Sequence, residues 1–229
     1  MTRAPTPGDW KFLVRRSLAA QMRAQIQSNF RGGPGIDVVD VGCGPRPYDS
    51  LFAGIAKSYV GVDARPGRGV DVVASAEALP LEDRSFDCAL SNQMLEHSDD
   101  PHAVVAEMWR ILRPGGVALI STHGVAPYHA NPDDYWRWTH AGLAKLVAGA
   151  GDWQDLQVQA NGGVGTALAY VVGWESHEYA RMLGIARPWR AVVAGLNLLG
   201  ANFDRIDAYR LRGRMPVLAA NYLVTATRR

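Results

Sequence analysis

Val38-Val39-Asp40-Val41-Gly42-Cys43-Gly44, followed by Pro45-Arg46-Pro47-Tyr48 and later by Tyr59-Val60-Gly61-Val62-Asp63, is the stretch that decides the fold. Residues running into paired glycines with little polar alternation describe a strand buried on both faces whose end turns sharply. The next apolar run ends in an acid. Strand, glycine turn, short helix and second strand over Ile36 to Asp63 open a parallel sheet whose ligand edge lies at the turn.

Working outward, Phe12, Leu13, Leu18, Met22, Ile26 and Phe30 recur mostly at three- and four-residue steps, with Arg15, Arg16 and Arg23 between them. This predicts an amphipathic helix over Trp10 to Phe30, with Asp9 as N-cap and Gly32-Gly33-Pro34 as stop. Such a helix either covers an edge of the core or lids a site. Downstream, Val70 to Ala74 and Ser85 to Ser91 read as strands. Pro101 to Leu112 reads as a helix closed by Pro114-Gly115-Gly116. Strand five is expected at Val117 to Thr122, a helix at Ala141 to Ala150 and strand six at Leu156 to Ala160. Apolar helical stretches at Gly165 to Leu183 and Pro188 to Phe203 precede a final strand at Asn221 to Ala226.

The alternation predicts an α/β fold with a mostly parallel sheet, helices on both faces and an antiparallel last strand. With 229 residues and 48% apolar content, one domain is expected. It divides into an N-terminal helix (1–33), a cofactor-binding core (34–160), a helical insertion (161–216) and a final strand (217–229). Gly162-Gly163-Val164-Gly165 reads as a hinge into the insertion. The insertion's apolar residues, among them Tyr170, Val171, Trp174, Trp189, Val192, Leu196 and Leu199, suit an extra core layer or a homodimer contact.

Net charge is +2, which gives no case for nucleic acid. Its distribution is uneven: residues 1–33 carry +5, residues 181–229 carry +7 and the middle carries −10. Basic ends suit solvated helix faces, or contact with an acidic partner or a membrane surface. Cys43 and Cys88 sit in apolar runs, with neither metal spacing nor a disulfide framework, so a reducing, cytoplasmic setting is expected. The longest apolar run, Val164 to Gly173, is too short to span a bilayer.

A glycine turn lets backbone approach a ligand, and an acid ending the next strand accepts hydrogen bonds from a ribose diol. A dinucleotide site needs amides for a pyrophosphate. Here Pro45 lacks an N–H, and Pro47 stands where the third glycine of that fingerprint would be. Asp40, ahead of the first glycine, instead offers a carboxylate to a cationic ligand.

The run Asp40 to Gly44, with Asp63, Ala76-Glu77-Ala78-Leu79-Pro80, Ser85-Phe86-Asp87, Leu95-Glu96-His97 and Leu112-Arg113-Pro114-Gly115-Gly116, resembles the class I S-adenosylmethionine-dependent methyltransferases of type 11. The likeness covers about residues 36 to 122. It implies a Rossmann-like sheet of seven strands and S-adenosylmethionine as cofactor. Gly42 and Gly44 would lie under the methionine part, Asp40 near its amino group and Asp63 on the ribose. Ala76 and Glu77 would border the adenine, with Asn92 and Gln93 at the methionine end. Arg46 departs from the family pattern, which often has a third glycine there.

Methyl transfer to a hydroxyl needs alignment and a base. His123, directly after strand five at the carboxyl edge of the sheet, is the first choice, with His97 and Asp134 as further catalytic candidates. The segment Pro127 to His140 packs Tyr128, His129, Tyr135, Trp136, Arg137 and His140 into one loop, which suits an acceptor pocket or a rigid turn capped by Thr139. It is similar to a Tyr-His-x-x-Pro-x-Asp-Tyr-Trp-Arg pattern in glycan-associated type 11 methyltransferases, which implies a sugar hydroxyl as acceptor. Glu96, Asp133, Asp134 and nearby histidines offer ligands for a divalent cation such as Mg2+. The rival expectations are methylation of a phenol, amine or carbon of a small molecule, and a non-catalytic protein that binds the cofactor.

Overall fold

The computed structural model describes residues 5–32, 34–130, 133–211 and 216–229. Gly33 of the expected helix stop and Asn131-Pro132 of the aromatic loop lie outside them. Helix α1 (Phe12–Asn29) precedes β1 (Ile36–Val41), β2 (Ala56–Asp63), β3 (Val72–Val73) and β4 (Phe86–Asn92). Then come α2 (Pro101–Ile111), β5 (Leu112–His123), α3 (His140–Gly149), β6 (Trp153–Asn161), α4 (Val164–Met182), α5 (Ala186–Leu211) and β7 (Asn221–Arg228).

The sheet has seven strands in the order β3-β2-β1-β4-β5-β7-β6. β7 slots between β5 and β6 and runs antiparallel to both, while the pairs among the first five strands are parallel. The order reverses at β1 and β4, which opens a crevice at the carboxyl ends of those strands, where ligands of such sheets bind.

Alternating residues of the central strands feed separate cores. Val39 and Val41 point to the face covered by α2 and α3, where Val104, Met108, Leu143 and Val147 are buried. Val38, Cys88 and Leu90 point to the opposite face, covered by Leu18, Met22 and Ile26 of α1. Asp9 accepts a hydrogen bond from the Lys11 amide at 2.9 Å just ahead of α1, and the α1 residues that pack are Val14, Leu18, Met22 and Ile26, a strict four-residue step. Asp100 caps α2 and Thr139 caps α3.

The glycine run before α4 differs from the expected hinge. Asp204 of α5 accepts from the amides of Gly163 (3.0 Å) and Gly165 (2.7 Å) and from the Thr166 hydroxyl (2.6 Å). A Cβ on Gly165 would stand 2.2 Å from the Gly200 carbonyl oxygen. These glycines therefore let two helices cross closely at a pinned joint. No described helix is long and apolar enough to cross a membrane.

Candidate active site

β1 runs into Gly42 and Gly44, both left-handed at φ 72° and 46°. A Cβ on Gly42 would lie 2.3 Å from Cγ of Met94, so the turn can rest against Met94 only as glycine. Arg46 takes the same left-handed backbone, φ 54°. Its guanidinium pairs with Asp71 and lies 5.2 Å over the Tyr59 ring. Gly61 leaves room for it, since a Cβ there would meet that guanidinium at 2.6 Å. Ion pairing and stacking thus hold an arginine in a conformation that glycine adopts without strain.

Beneath the turn, Asp40 is buried and accepts from the Tyr59 hydroxyl at 2.7 Å, while Oδ1 has no partner among the described residues. Burial pushes its pKa up to about 7. Asp63 accepts from the amides of Gly44 (3.0 Å) and Arg65 (3.1 Å), which fixes its carboxylate at the rim of a 280 Å³ cleft. Gly42, Asp63, Ala76, Glu77, Gln93, Met94 and His97 are among the residues lining this cleft. The Ser98 hydroxyl donates to Glu77 at 2.6 Å.

A second cavity of 550 Å³ adjoins it, and Gln93 lines both. Gln93 itself is left-handed, φ 52°, a strained backbone for a residue with a side chain. Its amide donates to the Ser121 hydroxyl at 3.2 Å, and that hydroxyl donates to Asn92 at 2.6 Å. The larger cavity is walled by α1, by the prolines after Gly44, by Tyr170 and Trp174 of α4, and by His123 and His129. Lys11, Arg15 and Arg23 contribute its cationic lining, and no carboxylate lines it among the described residues.

His123 ends β5 almost fully buried, its Nε2 3.3 Å from Oε1 of the wholly buried Glu96. Glu96 Oε2 accepts from the Thr122 hydroxyl at 2.9 Å. Burial lowers the His123 pKa to about 3 and raises that of Glu96, so the pair is not an imidazolium–carboxylate ion pair at neutral pH. The His129 ring stands 5.2 Å from that of His123 and 5.1 Å from that of His97, linking the two cavities. Asp134 anchors His129: its Oδ2 accepts from the His129 amide at 2.9 Å and lies 3.2 Å from Nδ1. Both Asp134 oxygens also take 2.6 Å hydrogen bonds from Arg137. Burial opposes ionisation of Asp134, but the Arg137 hydrogen bonds hold its pKa well below the usual carboxylate range.

The expected cofactor residues Gly42, Asp63, Ala76, Glu77 and Gln93 meet at the smaller cleft, Asn92 lines the larger cavity, and Asp40 and Gly44 line neither. Of the expected catalytic residues, His123 lines the larger cavity and His97 the smaller, whereas the Asp134 carboxylate is spent on Arg137 and His129. Among the described residues of the aromatic loop, His129 alone lines the larger cavity. Tyr128 and Tyr135 face outward, Trp136 stacks on Trp138 and donates to the Ser98 carbonyl, and His140 packs near Tyr222. Arg137 binds the Ala126 and Pro127 carbonyls as well as Asp134, so it organises the loop from within. For a cation, the donors that converge are Glu96, His123 and His129. Asp133 and Asp134 are outside that cluster: the first is exposed and gives its carbonyl to His97, the second is engaged by Arg137.

Lys11, Arg15, Tyr170 and Trp174 were not singled out as site residues from the sequence. The signal for the cations was present: Lys11, Arg15 and Arg23 lie at four- and eight-residue steps on one side of α1.

Residues 39–120 match the model of the methyltransferase domain family. An uncharacterized methyltransferase of Mycobacterium avium (strain 104) is 36% identical over 122 residues, which span 46% of this chain and 48% of that protein. One from Mycobacterium ulcerans (strain Agy99) is 40% identical over 99 residues, 38% of this chain and 39% of the relative. The match thus spans about half or less of these relatives. Among solved structures, the cyclase SpnF superposes with a TM-score of 0.57 at 19% identity, over 91% of this chain and 80% of that chain. Phosphoethanolamine N-methyltransferase 2 of Haemonchus contortus, in complex with S-adenosyl-L-methionine, superposes with a TM-score of 0.55 at 16% identity, over 91% of this chain and 52% of that chain. At these identities the structural likeness shows the shared fold.

Proposed function

We propose that the chain is an S-adenosylmethionine-dependent methyltransferase that holds its cofactor in the smaller cleft and a hydroxyl-bearing acceptor, a sugar or oligosaccharide, in the larger cavity. The observation that carries this reading is the junction of the two spaces at Gln93, with the glycine turn and Asp63 on one side and His123 on the other. The 280 Å³ cleft offers the ribose a fixed carboxylate at Asp63 and the adenine a niche between Ala76, Glu77 and Met94. Asp40, buried below the turn with Oδ1 unpartnered among the described residues, would accept a hydrogen bond from the ligand's amino group, and a cationic ligand there would favour its ionised form. In the transfer the acceptor oxygen forms a bond to the methyl carbon as the carbon–sulfur bond breaks. The electron pair stays on sulfur, giving a neutral thioether, and the hydroxyl proton passes to water in the larger cavity beside the Glu96–His123 pair. The enzyme's part is alignment and exclusion of water, and α1 with Trp174 roofs the acceptor space for that purpose.

The likeness of the Tyr128-His129 to Arg137 segment to glycan-associated enzymes supports a saccharide acceptor, with a methylmannose polysaccharide 1-O-methyltransferase as the specific activity it suggests. The relatively apolar outer residues of the insertion, Met182, Leu183, Leu198 and Leu199, support a homodimer through α4 and α5. The alternative within the same chemistry is a phenol, amine or carbon acceptor. The alternative outside it is a protein that binds the cofactor without transferring methyl, and SpnF, a cyclase on this fold, motivates keeping it.

Calorimetry with S-adenosylmethionine, S-adenosylhomocysteine and NAD tests the cofactor: the first two bind and NAD does not. Binding of NAD alone would overturn the reading. Transfer of labelled methyl to a panel of sugars, glycans, phenols and amines tests the acceptor. Label in phenols or amines alone replaces the saccharide, and cofactor binding with no transfer to any acceptor, in a panel extended to cell extracts, favours the non-catalytic alternative.

A further inference from the structure

The loop residues that fail to line the acceptor cavity are arranged around one that does. Asp134 accepts a hydrogen bond from the His129 backbone amide, lies 3.2 Å from its Nδ1 and is itself gripped by Arg137, which holds His129 in place beside Glu96 and His123. Across from it, Glu96 is wholly buried. Its Oε2 is held by Thr122, while its Oε1 has no hydrogen-bond partner among the described residues. His123 Nε2 stands 3.3 Å from that orphaned oxygen. One donor atom from each of Glu96, His123 and His129 lies within 4.8 Å of the others. An ion with tetrahedral bonds of about 2.0–2.1 Å sets its ligand atoms about 3.3 Å apart. A buried carboxylate oxygen without a partner, close to two imidazoles that each have a nitrogen to offer, is costly to maintain unless something cationic satisfies it.

We propose that Glu96, His123 and His129 form a site for a divalent transition metal that opens into the acceptor cavity. Two imidazoles and one carboxylate suit Zn2+, Mn2+, Fe2+ or Co2+, and the imidazoles argue against the Mg2+ expected from the sequence. Asp134 and Thr122 act as positioning residues that orient His129 and Glu96. Three protein ligands leave at least one coordination position, and the two histidines face the cavity, so that position takes an oxygen of the acceptor. This use of the ion rests on the methyltransferase reading above, whereas its binding does not. An ion held there would lower the pKa of an acceptor hydroxyl bound to it, the proton going to cavity water, and the oxygen would then form its bond to the methyl carbon as the carbon–sulfur bond breaks and a neutral thioether departs.

The test is a titration of the chelator-treated full chain with Co2+, Zn2+ and Mg2+ by calorimetry, with the visible spectrum of Co2+ recorded in parallel. The expected result is one Co2+ or Zn2+ per chain, visible Co2+ bands of a low-coordinate site, and far weaker Mg2+ binding. His129→Asn should abolish the bands. Asp134→Asn should weaken Co2+ by about 10- to 100-fold, the range for loss of a group that orients a ligand. His102→Asn, at an exposed histidine outside the cluster, should change nothing. Absence of Co2+ uptake by the wild-type chain, or uptake and bands unchanged in both His129→Asn and Glu96→Gln, overturns the site. Calorimetry with S-adenosylmethionine on the same samples separates the two proposals. Cofactor binding without Co2+ binding overturns the metal site alone. Co2+ binding sensitive to His129→Asn without cofactor binding supports the site and overturns the methyltransferase reading.

Discussion

Substituting Gly42 by alanine tests the cofactor cleft at its narrowest constraint. Two costs add. The residue sits at φ 72°, where a side chain costs about 1–2 kcal/mol, and for a chain of this size that lowers Tm by roughly 2–8 °C. The new methyl would also stand 2.3 Å from Cγ and 2.7 Å from Cβ of Met94. Ordinary carbon contacts are about 3.5–4.0 Å, so Met94 must withdraw by about 1 Å or more. Behind Met94 is the packed core around Leu95 and Val104, and the open volume beside it is the 280 Å³ cleft. Crowding of that order costs about 1–3 kcal/mol, or roughly five- to 150-fold in the Kd of S-adenosylmethionine. Gly115→Ala is the reference. It shares a positive φ, 82°, but nothing lies within 4 Å of the added Cβ, so it carries the strain without the collision. Thermal unfolding and calorimetry on both variants should show a Tm loss in Gly42→Ala at least as large as that in Gly115→Ala, and weakened cofactor binding only in Gly42→Ala. Equal cofactor affinity in the two variants would refute the reasoning, because Met94 would then not be a wall of the cofactor site.

Asp40→Asn tests the buried acid. Its pKa rises from 3.8 to about 7 on folding, so the folded chain keeps a proton that the unfolded chain releases between those values. The wild type therefore loses stability as pH rises through that window, by about 4 kcal/mol at most, and the asparagine variant lacks this slope; urea unfolding of both from pH 4 to 8 checks it. Asp204→Ala removes the acceptor for the α4 amides and should cost about 1–2 kcal/mol with no change in cofactor affinity, read from Tm and calorimetry together. Arg137→Ala leaves the Asp134 side chain buried without its cation. That should lower stability by about 3–5 kcal/mol, seen as a shift in denaturant midpoint at constant slope, and Arg137→Lys should recover only part because an ammonium cannot span both oxygens and the loop carbonyls.

The fold was legible where burial imposes a pattern on neighbouring residues. Val38 to Val41, Tyr59 to Asp63 and Phe86 to Ser91 are central strands, and continuous apolar character is what a strand covered on both faces requires. β5 begins earlier than expected, at Leu112, because Leu112 pairs with Phe86 before the glycines bulge away and the ladder resumes at Val117 opposite Cys88. Pro114-Gly115-Gly116 marks that irregularity rather than a loop outside the strand. The glycines at 162 to 165 carry the same ambiguity. Freedom of backbone and close approach of another helix both call for glycine, and only the position of Asp204 and Gly200 on a helix far along the chain decides between them.

The site divides along the same physical line. Asp63, Ala76, Glu77 and Gln93 lie at or just beyond strand ends, so strand order alone brings them together, and their convergence follows from local patterns. The larger cavity draws on α1, on the end of β5 and on α4, whose meeting depends on tertiary packing such as Trp10 against Trp174, with centroids 4.2 Å apart. The aromatic loop shows why its sequence left a pocket and a rigid turn both open. A dense run of Tyr, Trp, His and Arg has the composition of a binding surface, yet Arg137 and Asp134 are turned toward each other and toward the loop's own carbonyls. A loop this polar must satisfy those groups before it can present any, and His129, which among its described residues lines the cavity, is the one that the Asp134–Arg137 pair steadies from behind. The segment's chemistry is therefore concentrated in a single imidazole, with Glu96 beneath the loop held to it through the Tyr135 amide at 2.8 Å. A change at Arg137 or Asp134 should consequently be felt at His129 and Glu96 rather than as a lost contact with the acceptor.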